Sequence, residues 1–152
     1  MDYGHICKGK RKDNNEWIEG YLVKHNERYY IYYEYADEMC QTGNYLSYKE
    51  VIPETVCRCT ELKDKNGKWI FEGDILHIRT GKGWSCPAGT DIYYKVVFTE
   101  FNNEHYSCTE YIGFMAERSN GSLSSIYYTV TSYGVEVIGN IHDNSELLEV
   151  ER

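Results

Sequence analysis

The chain has 152 residues and carries 16 Lys plus Arg against 24 Asp plus Glu, a net charge of −8. A chain of this length can bury enough surface to fold without metal or disulfide staples. Its acidic balance repels phosphate and disfavours duplex nucleic-acid binding, and no apolar run is long enough to span a membrane. The first residues lack the apolar region of a signal peptide, so we expect a cytoplasmic protein whose cysteines stay reduced.

Period-two alternation of apolar and polar residues dominates the chain, and 16 tyrosines with only two prolines also favour strands. Turn signals separate most of the alternating runs. The predicted strands are Tyr3–Lys8, Glu16–Lys24, Arg28–Tyr35, Tyr45–Val51, Glu54–Thr60, Trp69–Arg79, Ile92–Glu100, Tyr106–Ala116, Ile126–Thr131 and Gly134–Ile141. The fold class is therefore mainly β.

The stretch "KDKNGKWIFEGDIL", residues 63–76, has the clearest local signals. Asn66-Gly67 predicts a type I′ hairpin turn, in which both central residues have positive φ. Gly73 then interrupts the strand, and Asp74 can accept backbone N–H bonds at the bend. Residues 12–23, "KDNNEWIEGYLV", repeat this pattern in shorter form. Either a hairpin unit was duplicated, or one turn-and-bulge solution arose twice.

Gly-Asp followed by alternating aliphatic residues is typical of the first long strand of SH3-like barrels, and this predicts the second half of the fold. We expect one domain, residues 1–152, with two lobes: a hairpin-rich β lobe over 1–59 and an SH3-like, partly open barrel over 60–152. One short C-terminal helix is predicted in "HDNSELLEV", with Asn144 as its N-cap and Glu146 in its first turn.

The aromatic run "RYYIYYEYADEM" begins at residue 28 and is the main candidate binding segment. In a strand, Arg28, Tyr30 and Tyr32 share one face, where they could stack bases or an aromatic ligand. The alternative is that one face of this strand is core and the other packs against a neighbouring lobe or subunit, because tyrosine is common at protein interfaces.

Catalytic signatures are missing from the sequence, and no cofactor is predicted. Cys57 and Cys59 would share a strand face and could supply half of a metal site, but no second pair at ligand spacing completes it. A dyad of either cysteine with His77 stays open, because spatial adjacency cannot be read from one sequence. We therefore predict no catalytic and no metal-ligating residues.

The basic cluster "KGKRK", residues 8–12, is followed closely by acidic residues. This mixture favours a solvated turn, with a phosphate-contacting role as the alternative.

Four segments together resemble the YopX family of phage and prophage proteins. They are "GKRKDNNEWIEGYLV", "VIPETV" with the following "TELKDKNGKWIFEGDIL", "YKVVF", and "EVIGNIHDNSELLE". The chain departs from the family pattern at Cys57-Arg58-Cys59 and Glu61, and at Ser145, where relatives often carry proline. The resemblance implies a mainly β protein encoded on a mobile element, acting in the bacterial cytoplasm, and it supplies no catalytic residue.

Three hypotheses about function follow. The first is a non-enzymatic interaction module that binds a host or phage protein through an aromatic-rich surface. One form of this hypothesis has the module also self-associate into a homo-oligomer. The second is a nucleic-acid-related role, as a single-strand binder or as an acidic DNA mimic. The third is a small enzyme with an unrecognised site, for which no sequence feature argues.

Overall fold

The computed structural model describes residues 6–36, 44–82, 87–102 and 110–149. Their elements in chain order are β1 (Ile6–Lys10), β2 (Trp17–His25), β3 (Arg28–Ala36), β4 (Asn44–Val51), a 3-10 helix (Pro53–Thr55), β5 (Cys57–Lys63), β6 (Trp69–Phe71), β7 (Asp74–Arg79), β8 (Asp91–Asn102), β9 (Glu110–Glu117), β10 (Leu123–Ser125), α1 (Ile126–Tyr133), β11 (Glu136–Asn140) and a second 3-10 helix (Ser145–Leu148). The mainly β prediction is confirmed. Within these residues, no helix has the length and apolar character needed to cross a membrane.

The chain divides into two compact units, Met1–Cys59 and Thr60–Arg152. In the N-terminal unit the strand order is β4-β3-β2-β1-β5, and in the C-terminal unit the last part of β5 pairs with β6. Strands β7 to β11 form a second antiparallel sheet in the order β10-β9-β8-β7-β11. The SH3-like character of the second lobe stays a prediction.

The N-terminal sheet curls so that the segment after β1 reaches β4, where an isolated bridge joins Arg11 to Val51. The inside of this curl is narrow. A Cβ atom at Gly9 would lie 3.3 Å from the Val51 Cβ, and one at Gly20 would collide with the carbonyl oxygen of Tyr32. Ile31 and Val51 fill the remaining space and are almost completely buried.

The C-terminal unit holds a larger apolar core. Its buried members come from β6 to β9, from α1 and from the segment before β11: Ile70, Leu76, Ile78, Ile92, Tyr94, Val96, Ala116, Ile126 and Val135. Strand β7 is buried on both faces, as expected for a central strand that is covered on both sides. Leu76 and Ile78 of β7 belong to this core, whereas Ile75 is buried on the opposite face of the strand.

The predicted strand Ile126–Thr131 is wrong, because this segment forms helix α1. The Ser125 hydroxyl accepts the Tyr128 N–H, and Gly134 closes the helix in the left-handed conformation. The side chains that pack inward recur at helical spacing: Ile126, Thr129, Val130 and Tyr133. Capping and packing therefore override the strand propensity of a segment rich in β-branched and aromatic residues.

The turn between β5 and β6 also differs from its prediction. Gly67 has a φ of 82°, but Asn66 is not among the residues with positive φ, so the turn is not type I′. The Gly67 N–H donates to the Asp64 carbonyl, and the Asp64 Oδ1 accepts the N–H groups of Asn66 and Lys68. The buried carboxylate of Asp64 organises the loop and selects its geometry.

The predicted break at Gly73 is confirmed: its φ is 80°, and it lies between β6 and β7. The Asp74 carboxylate accepts the Phe71 N–H at 2.8 Å, as predicted for this bend. In the shorter copy, Gly20 lies inside the uninterrupted strand β2. The two copies therefore use their Glu-Gly step for different purposes, a break in one and close backbone packing in the other.

The predicted C-terminal helix is present as the four-residue 3-10 helix Ser145–Leu148. Asn144 precedes it without making a side-chain capping bond, and its Oδ1 instead accepts the Asn140 N–H at 3.4 Å. Residues 3–5 and 106–109, which belong to two predicted strands, lie outside the described residues.

Candidate interaction surface

Strands β2, β3 and β4 present a continuous aromatic surface that we call the tyrosine face. The antiparallel registers place Tyr21, Tyr32 and Tyr48 side by side across the three strands. Side chains two residues away on the same strands point to the same side. The tyrosine face consists of Tyr21, Val23, Tyr30, Tyr32, Leu46 and Tyr48.

Tyr48 organises the tyrosine face. Its ring stacks on Tyr32 at 5.2 Å between centroids with an interplanar angle of 29°, and it meets Tyr30 edge-on at 5.9 Å. Tyr48 is nevertheless 56% exposed and Leu46 is 63% exposed. The rings are therefore fixed against one another while much of their apolar area faces solvent, an arrangement typical of a preorganised contact surface.

The predicted site residues Arg28, Tyr30 and Tyr32 all lie on β3. Tyr30 and Tyr32 join the tyrosine face through Tyr48. Arg28 is the first residue of the strand and is exposed at the end of the face, opposite His25 in the β2–β3 ladder. Sequence reasoning missed Tyr48, since its partners follow only from the pairing of β3 with β4.

The opposite side of β3 carries Tyr29, Ile31, Tyr33 and Tyr35, and the alternative interpretation of the sequence makes one face of this strand core. Ile31 is fully buried, whereas Tyr35 is 45% exposed and contacts Tyr45 at 5.9 Å between ring centroids. This side is therefore core only around Ile31.

The basic cluster lies at the end of β1 and in the turn after it. Lys8 and Lys10 place their Nζ atoms 5.1 and 5.5 Å from the ring centroid of Trp17. Arg11 forms a two-point contact with Asp13, and Lys12 pairs with Glu50 at 2.9 Å. The Arg11 hydrogen bond holds the Asp13 carboxyl pKa below its ordinary value. Nearby acidic groups thus offset much of the cluster's charge.

Cys57, Cys59 and His77, the candidates for a catalytic dyad or metal site, lie in ordinary structural environments. Cys57 and Cys59 are buried, and the Cys57 thiol donates to the Thr55 carbonyl at 3.2 Å. His77 lies 2.8 Å from Asp91 and packs against the ring of Tyr93. Across the described parts of the chain, no three His, Cys, Asp or Glu side chains gather in a metal-binding arrangement.

A groove of about 490 Å³ in the C-terminal unit lies beside the ion pair of Lys95 with Glu117. Arg118 and Glu149 also line this groove, so its charges largely offset one another. This lining does not define a ligand class.

The protein is mainly β, and its N-terminal sheet presents a candidate contact face. The described residues form no catalytic constellation. The chain belongs to the YopX protein family, whose profile matches residues 8–149, and the resemblance seen in the sequence is confirmed. The crystal structure of protein EF1440 from Enterococcus faecalis superimposes with a TM-score of 0.54. The two sequences are 21% identical over 95% of this chain and 97% of that one, so the likeness concerns the fold alone. No curated protein matches the chain.

Proposed function

We propose that the chain is a non-enzymatic protein-interaction module of phage or prophage origin that docks a host or phage protein on its tyrosine face in the bacterial cytoplasm. The observation that carries this proposal is the exposure of a ring cluster that is already ordered by Tyr48. Burying aromatic area that needs little further ordering favours association, because the entropy cost of fixing those side chains is small.

The composition of the tyrosine face supports a protein partner. Tyrosine combines a large apolar body with a polar hydroxyl, and aromatic residues are enriched at the energetic centres of protein interfaces. Charged residues border the apolar centre: Arg28 at one end of β3 and Glu34 near the other. An apolar centre with a charged rim is the usual anatomy of a protein–protein contact.

The test is capture of partners from lysate of a bacterial host by the immobilised full chain. A variant with Tyr21→Ser and Tyr48→Ser removes exposed aromatic area from the tyrosine face. The matched control carries Tyr127→Ser and Tyr128→Ser, which removes two exposed tyrosines from α1. We expect a reproducible partner to be retained by the control and lost by the face variant. Equal capture by both variants would contradict the proposal.

A single-strand-binding role is a second proposal, favoured by Trp17, which extends the aromatic surface along β2 and has the Lys10 Nζ 5.5 Å from its ring centroid. Binding of this kind releases counterions from phosphate, so the affinity must fall as salt is raised. Titration of a labelled single-stranded oligonucleotide over a range of salt tests it. An affinity that is independent of salt, or no binding at low salt, would exclude this role. The acidic-mimic alternative rests on the net charge of −8 alone.

A further inference from the structure

Strand β4 lies at the edge of its sheet, with β3 on one side. At its end, the Glu50 carbonyl accepts the Lys12 N–H and the Ile52 N–H donates to the Lys10 carbonyl, both on the side away from β3. The N–H and C=O groups of successive residues in a strand point alternately to its two sides. The N–H and C=O groups of Leu46 and Tyr48 therefore also point away from β3, where no strand among the described residues pairs with them.

This edge carries few of the features that keep exposed strands apart. Natural proteins protect long edges with charged residues, proline or bulges. Residues 44–48, "NYLSY", contain no charge and no proline, and their pairing with β3 runs without a register shift. Charged residues enter β4 only at Lys49, next to the end where residues after β1 cover the edge. Five uncharged residues thus present a backbone edge that no strand among the described residues covers.

We infer that β4 pairs antiparallel with β4 of a second copy of this chain, with Ser47 on the two-fold axis. In this register Leu46 lies opposite Tyr48 of the partner copy and Tyr48 opposite its Leu46, so both outward-facing pairs can exchange backbone hydrogen bonds. The register joins the exposed apolar side chains of the two copies on one side of the extended sheet.

The charges on the other side of the strand also fit this arrangement. Lys49 of one copy lies opposite Tyr45 of the other, where an ammonium group can approach an aromatic ring. No two like charges fall opposite each other within residues 44–49. A register shifted by two residues, centred on Lys49, would place the two Lys49 side chains opposite each other. The segment is therefore self-complementary in the register centred on Ser47.

Few backbone hydrogen bonds join the copies, so the contact is small and we expect a dimer that dissociates on dilution. This inference goes beyond the proposed function, because it uses the backbone edge and leaves most of the tyrosine face open to another partner. The dimer would present two such faces side by side. Two linked faces bind more tightly to a partner that carries two copies of the docking site.

Sedimentation velocity of the full chain from micromolar to millimolar concentration tests the inference. We expect the mass to rise from one chain to two. Leu46→Lys removes an exposed apolar side chain from the edge and brings two added like charges to diagonal positions across the two-fold axis, so it should hold the protein monomeric. Val23→Lys is the matched control, since Val23 is also exposed on the tyrosine face but lies on β2, away from the edge. This control should still dimerise.

Amide hydrogen exchange of the wild-type chain gives a second readout that does not depend on a variant. The N–H groups of Leu46 and Tyr48 should become protected as concentration rises, whereas those of Tyr45 and Ser47, which face β3, should be protected throughout. A monomer at every concentration, equal effects of the two lysine substitutions, or protection without this alternation would overturn the inference. A monomer that still captures its partner through the tyrosine face would leave the proposed function intact.

Discussion

The two units use their apolar side chains in opposite ways. In the C-terminal unit, residues from β6 to β9 and α1 form one continuous buried core. In the N-terminal unit, glycine and small side chains line the inside of the curled sheet, and Ile31 and Val51 fill it. Tyr21, Tyr30, Tyr32 and Tyr48 of β2 to β4 lie on the outside of this sheet. The first unit therefore places on its surface the kind of area that the second unit buries.

The largest expected difference between the units comes from truncating a leucine in each. Leu76→Ala removes a fully buried side chain of the C-terminal core and should lower the free energy of unfolding by about 2–5 kcal/mol. Leu46→Ala on the tyrosine face should change it by no more than about 0.5 kcal/mol. Urea unfolding followed by circular dichroism, at a dilution where the chain is monomeric, measures both. Similar costs at the two positions would show that the tyrosine face is not a free surface.

A substitution with a smaller expected effect tests how narrow the space inside the N-terminal sheet is. In Gly20→Ala the new methyl group meets the Tyr32 carbonyl oxygen, which is backbone, so β2 and β3 must separate. We expect a loss of about 1–3 kcal/mol in unfolding free energy. Gly9→Ala is the control, because its nearest atoms are side-chain carbons at 3.3–3.4 Å that can shift slightly. An equal or larger loss at Gly9 would contradict this account of the packing.

The smallest effect concerns Asp64, which organises the C-terminal unit by hydrogen bonds. Burial disfavours its charge, but the backbone N–H donors of Val137, Lys68 and Asn66 outweigh burial and lower its pKa. Asp64→Asn turns an N–H donor toward the Val137 N–H and should cost about 1–2 kcal/mol at neutral pH.

The pH dependence of this cost follows from the lowered pKa of Asp64. A carboxyl with a lowered folded-state pKa contributes stability that is present above its unfolded pKa, about 4, and is lost as pH falls through the folded value. The difference between wild type and Asp64→Asn should therefore shrink in acid. Denaturant unfolding of both proteins from neutral to acidic pH checks this. A difference that is constant with pH would mean that the charge of Asp64 does not contribute.

Much of the fold was predictable because strands reveal themselves locally. The alternation in β3, the break at Gly73 and the acceptor role of Asp74 all follow from residues close in sequence. The helix α1 could have been predicted from the inward spacing of Ile126, Thr129, Val130 and Tyr133 between Ser125 and Gly134. The strand prediction is wrong there because capping and inward packing outweigh the strand propensity of the individual residues.

The candidate surface was predicted only in part. The sequence predicts Arg28, Tyr30 and Tyr32 as candidates on one strand, and two of them belong to the tyrosine face. Tyr48 and Tyr21 reach that face from neighbouring strands, and a single sequence does not fix which strands are neighbours. Interaction as the function, and the absence of an enzymatic role, stay predictions.

The sequence by itself determined that β3 is a strand with tyrosines on both faces, because side chains alternate along any extended backbone. Only the tertiary structure decided which of those tyrosines are exposed and ordered. The curl of the sheet, which Gly20 permits, encloses Ile31 and turns Tyr32 outward against Tyr48. That outcome depends on contacts between residues far apart in the chain, and local periodicity carries no information about them.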